Sequence, residues 1–155
     1  MNLENLTTYL RDHLAGSIVA LEALDHLIIA FQDRPEGTQI VKLKTEVEAD
    51  QAVVKALLSK LVQDESALKK AGAWMAEKLL MTKVKAEGEL GTLEVLEMLV
   101  LGIEGKLRLW RSLSCLDTGL NLPELEAGAT RQIQFVENLR LQVAQRALAD
   151  APSEA

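Results

Sequence analysis

Apolar residues recur along this chain three and four positions apart, the spacing that gathers side chains on one face of an α-helix. Over 3–31, Leu3, Leu6, Leu10, Leu14, Ser17, Leu21, Leu24 and Ile28 share a stripe at about 100° per residue. Over 38–64 the stripe is Ile40, Leu43, Val47, Asp50, Val54, Leu57, Leu58 and Leu61. Over 123–149 it is Leu125, Ala129, Gln132, Val136, Leu139, Val143 and Ala147. Two more helices are predicted at 66–86, carrying Leu68, Ala71, Trp74, Met75, Leu79 and Met81, and at 92–113.

The breaks have recognisable chemistry. Proline disfavours helix in the residue before it, so Asp33-Arg34-Pro35-Glu36-Gly37 ends the first helix, and Thr38 is the expected N-cap of the second. Gly88 and Gly91 interrupt the chain before 92, and Asp117-Thr118-Gly119 after 113. Pro123 stands where a first-turn proline is tolerated. The short first connection makes an antiparallel hairpin of helices one and two. The 66–86 helix, roughly 30 Å long at about 1.5 Å per residue, is long enough to return along the whole bundle. Helices two and four then run parallel, joined by a helical crossover, which is the connectivity of ferritin-like up-down bundles of four long helices. A five-helix up-down array satisfies the same arithmetic.

Composition agrees with an all-α single domain over 1–150, with 151–155 as a frayed tail. The 155 residues are 48% apolar, and the aromatics are only Tyr9, Phe31, Trp74, Trp110 and Phe135. A net charge of −6, with basic clusters no larger than Lys69-Lys70 and Lys83 with Lys85, argues against nucleic-acid binding. Cys115 is the single cysteine, so an internal disulfide is excluded. Met1-Asn2-Leu3-Glu4 has no basic region before an apolar run, and Glu22, Asp25 and His26 interrupt the longest apolar stretch. A cytoplasmic protein without a membrane span is expected.

Helix 92–113 differs from the rest. Val95, Leu96, Met98, Leu99, Val100, Leu101 and Ile103 surround nearly the whole cylinder, so it must be covered on all sides. Gly102 and Gly105 lie together on its back, where a second backbone can approach closely. Either the crossover covers that face or a second copy does, and a homodimer is the expectation.

Four stripes each carry one polar residue: His13, Asp50, Lys106 and Gln132. In the crossover topology all four fall near mid-bundle. A charge there must be paired, hydrogen-bonded or neutralised. One reading is a pocket for a small ligand or metal; the other is a hydrogen-bonded layer that fixes helix pairing. Lysine repels a cation, which favours the second. Glu97 is a candidate fifth member because its neighbours are so apolar.

A carboxylate-bridged di-iron site needs a Glu-x-x-His pair on each of two helices, since i and i+3 share a face. No such pair exists: Ala49 follows Glu46 and Ala129 follows Glu126 at that spacing. Glu46, Asp50 and Glu97 are the remaining candidates for an all-carboxylate iron or manganese site. With His13 and His26 the only histidines, and neither phosphate loop nor nucleophile elbow, no catalytic arrangement is legible.

Thr8–Ser17, Glu46–Asp50, Gly72–Leu79 and the run Leu99-Val100-Leu101-Gly102-Ile103-Glu104-Gly105-Lys106-Leu107 with Leu109-Trp110-Arg111 resemble a family of small bacterial proteins of undefined role. Their domain is similar to the ferritin-like four-helix bundle. The resemblance implies that fold over about 3–149. It does not imply iron chemistry, because both histidine positions of the di-iron pattern are apolar here. The sequence therefore predicts a non-catalytic binding or structural homodimer without a cofactor, the alternative being a di-metal protein for metal handling or oxidative stress.

Overall fold

Asn2 opens the first helix, its side-chain Oδ1 accepting the Asn5 backbone N–H at 3.0 Å. From there α1 runs Leu3–Ala30, α2 Gly37–Leu61, α3 Gly88–Leu113 and α4 Leu122–Leu148 in a computed structural model. The structure describes residues 1–62, 70, 72–74, 77 and 86–149. The helix predicted over 66–86 lies, those isolated positions aside, outside the described residues. Among the described residues the secondary structure is helical, without strands.

Two starts differ from expectation. Helix α2 begins at Gly37, one residue before the predicted cap, and Glu36 at the N-cap makes no side-chain capping bond. A turn sets this start: Gly37 donates to the Arg34 carbonyl at 3.0 Å. A Cβ on residue 37 would sit 2.5 Å from the Phe31 carbonyl oxygen, so only glycine fits. Helix α3 begins four residues earlier than predicted. Gly88, at φ +66°, absorbs the turn, and Gly91 continues the helix because its bare Cα packs on the Ala86 backbone.

The helix pairs follow from the contacts. Helix α1 packs on α2 and α3, and α3 packs on α4. Arg34 meets Glu89, 55 residues on, and Asp50 meets Lys106, 56 residues on. That constant offset means α2 and α3 run parallel. Tyr9 bonds Ser112 while Gly102 faces Ala20, so α1 and α3 run antiparallel. Val62 lies beside Leu3 and Thr7, at the end of the bundle opposite Glu89. The chain thus leaves α2 at one end and resumes as α3 at the other.

The core joins the stripes: Leu10, Leu24, Phe31, Leu96, Leu99 and Trp110 are fully buried. In α1 the buried side drifts along the helix. Leu3 is exposed, whereas Ala20, Ala23 and Leu27 are buried beyond the predicted line. In α3, Val95, Leu96, Leu99 and Ile103 are covered within the chain, and Leu101, at 71% exposure, is not. Leu101 shares its side of the helix with Glu94, Glu97 and Arg108, so the outward face is mixed rather than apolar. Helix α1 is, by length and composition, apolar enough to cross a membrane, contrary to the sequence expectation. In the bundle eight of its residues are buried instead.

Candidate functional site

Three of the four predicted polar residues meet at mid-bundle. The Lys106 ammonium on α3 donates to Asp50 Oδ2 on α2 and to Gln132 Oε1 on α4. Gln132 Nε2 donates to Glu46 Oε2 at 3.2 Å and to Asp50 Oδ2 at 3.4 Å. The i, i+4 spacing of Glu46 and Asp50 puts both carboxylates on the α2 face that meets α4. Side-chain exposure is 14% for Lys106 and 15% for Asp50, so this ion pair is largely out of water. Burial lowers the affinity of Lys106 for its proton, opposed by the charges of Asp50 and Glu46. Glu46, proposed from sequence only as a metal ligand, closes the network towards solvent.

His13 stands apart from this network but borders the same space. A cavity of about 190 Å³ opens between α1, α2 and α3. Its walls include His13, Ser17, Asp50, Gln51 and Lys106, and its apolar floor is built from Ala20, Val47, Val54 and Ile103. Gly102 and Gly105 also line it, together with Gly16 of α1. The glycines predicted to admit a second backbone therefore face α1 of the same chain: a Cβ on Gly102 would lie 3.9 Å from that of Ala20, and one on Gly105 would meet nothing within 4 Å. Small residues on both helices leave the space open.

The His13 ring sits edge-on to Tyr9, with centroids 4.7 Å apart and planes at 84°. Tyr9 is itself anchored, its hydroxyl donating to Ser112 Oγ at 3.1 Å. Burial lowers the His13 pKa below the usual 6.5, with the Asp12 carboxylate pulling the other way. The imidazole is therefore neutral at pH 7, offering one N–H and one lone pair. Beside it, Ser17 Oγ donates to the Leu14 carbonyl at 2.7 Å and accepts from Gln51 Nε2 at 2.8 Å. Gln51 Oε1 accepts from Lys55 at 2.8 Å. Sequence reading placed Ser17 in the α1 stripe without a role and passed over Gln51, whose one signal was Lys55 a turn later.

Glu97 does not join the layer. It is exposed on α3 and pairs with Arg140 of α4 at 3.3 Å. The set Glu46, Asp50 and Glu97 is therefore not brought together, because Asp50 is spent on Lys106 and Glu97 points to a different neighbour. Among the described residues no group of three His, Cys, Asp or Glu side chains is placed to hold a metal ion. Comparison with protein families, with curated proteins and with solved structures finds no match to this chain.

Proposed function

We propose that this chain is a non-catalytic small-molecule-binding bundle of ferritin-like architecture, whose ligand occupies the cavity between α1, α2 and α3. One observation carries the reading: a cavity of about 190 Å³ with an apolar floor opens at mid-bundle beside a largely buried ion pair. A cavity of about 150 Å³ holds benzene, so a cavity of about 190 Å³ suits a compact molecule of roughly eight non-hydrogen atoms. The ferritin-like assignment is supported by the parallel course of α2 and α3 between two antiparallel pairs. A metal role is disfavoured because the one lysine in the layer sits on the carboxylate a cation would need.

The test is chemical-shift mapping with a set of uncharged compact aromatics. Perturbations should converge on Ser17, Val54 and Ile103 and vanish in Gly105→Phe, whose ring would fill the open space. Absence of any such perturbation, or its persistence in the blocked variant, would overturn the proposal. Elemental analysis of protein purified without chelator supplies an independent arm: about two ions of iron or manganese per chain, as in a di-metal bundle, would also overturn it.

A further inference from the structure

The polar groups around the cavity are unequal in what they can still bind. Lys106 and Asp50 satisfy each other and cancel in charge, with Gln132 taking a second Lys106 proton. Ser17 has donated its proton to Leu14, and Gln51 is held between Ser17 and Lys55. Among the described residues, neither ring nitrogen of His13 takes part in a hydrogen bond. Its ring packs edge-on against Tyr9 and borders the cavity, so its unused hydrogen-bonding capacity lies at the cavity wall.

Charge narrows the ligand further. An anion entering the cavity meets Asp12 at the rim and Asp50 within, while Lys106, the only cation of the lining among the described residues, is already engaged. A cation must instead compete with Lys106 for Asp50 or pair with the exposed Asp12, where water screens the attraction. An uncharged molecule faces neither obstacle, and its apolar body replaces nothing that the floor needs.

We propose that the cavity selects an uncharged, compact apolar molecule bearing a single hydroxyl or N–H group, and that His13 is the residue that recognises that group. The chemistry is that of a small phenol, an arylmethanol or an indole: one hydrogen bond to the imidazole, with a hydrocarbon body over Ala20, Val54 and Ile103. No bond is made or broken. This inference rests on the binding reading above and adds to it the polarity of the ligand and the residue that reads it.

Four probes of one shape decide it: toluene, benzyl alcohol, benzoate and benzylamine, titrated at pH 7.5 against the full chain. Benzyl alcohol should bind at least about tenfold more tightly than either charged probe, a factor worth about 1.4 kcal/mol. It should also exceed toluene, and His13→Leu should abolish that advantage while toluene affinity persists. Benzoate or benzylamine binding as tightly as the alcohol would overturn the proposal, as would an alcohol preference that survives His13→Leu. Should that variant fail to fold, the ring ¹⁵N shifts of His13 in the unaltered protein replace it: they must move with benzyl alcohol and not with toluene. Toluene binding without any preference defeats this inference alone. Failure of both toluene and the alcohol to enter defeats the binding reading with it.

Discussion

Lys106 and Asp50 meet across the parallel pair α2 and α3, and Gln132 from α4 closes on both. Three helices are thereby fixed at one height by charged and amide groups rather than by shape. Slipping one helix by a turn would strand a charge in the apolar interior, at a cost of several kcal/mol. The network therefore specifies register, and it also supplies one wall of the cavity.

Removing one partner should cost more than removing the pair. Asp50→Ala leaves the Lys106 ammonium largely buried without its counter-ion, and a loss of about 3 kcal/mol is expected, the low end for broken buried pairs because both groups retain slight exposure. Asp50→Leu combined with Lys106→Met should recover most of that loss. Urea unfolding of the singles and the double gives the coupling directly. Singles within about 0.5 kcal/mol of the parent would place the pair with ordinary surface bridges.

Two glycines should respond oppositely to the same substitution. Gly105→Ala adds a methyl where nothing lies within 4 Å, in a helix interior where alanine is preferred, so stability should rise by about 0.4–1 kcal/mol. Gly37→Ala drives a Cβ into the Phe31 carbonyl oxygen and should cost about 1–3 kcal/mol. Thermal melts of the two variants beside the parent check both signs.

The contrast shows what was legible. Asp50, Lys106 and Gln132 each interrupt an apolar stripe, and a polar residue on a buried line must find a partner. Periodicity together with the expected topology therefore brings these three to one height, while Glu46, one turn from Asp50, was read only as a metal ligand. His13 also interrupts a stripe, yet it lies on the wall facing the cavity, one helix away from the others. A pocket was one reading of the polar layer, but its place was not legible. Gly102 and Gly105 read as a face for a second backbone, Gly16 and Ala20 carry no signal, and only the packing of α1 on α3 shows that these small residues leave a space. Glu97 was misjudged for a related reason. Its apolar sequence neighbours point inward, whereas it points outward to Arg140, a partner that only the folded packing of α3 on α4 supplies.

His13 should make stability fall as the solution is acidified. Burial holds its pKa below 6.5 in the folded state, chiefly by desolvation and against the pull of Asp12. The unfolded chain then takes up the proton first as pH drops through 6.5. The contribution is complete above 6.5 and is progressively lost below it. In His13→Gln that part of the slope should disappear, read as a smaller difference between urea midpoints at pH 7.5 and 5.5. Ring-proton titration by NMR should give a native midpoint below 6.5, and a midpoint above it would reverse the sign.

Glu89 should act in the opposite direction on the charge ledger but lose stability in the same sense. It bonds Arg34 at 2.6 Å, just ahead of α2, and Arg146 at 3.3 Å near the end of α4, so one carboxylate ties three helices at the end where α3 begins. The Arg34 hydrogen bond is the largest cause holding its pKa below 4.5. Its contribution is therefore present above 4.5 and is lost as pH falls through the depressed value. Because a third of the side chain remains exposed, Glu89→Gln should cost only about 0.2–1 kcal/mol at pH 7. The difference from the parent should close as pH falls below that depressed value. The effect should also be local: amide hydrogen exchange should quicken in the first turns of α3, where the lost negative charge no longer favours the helix N-terminus. Unchanged exchange there, with loss spread evenly through the core, would show that the clamp does not hold that end.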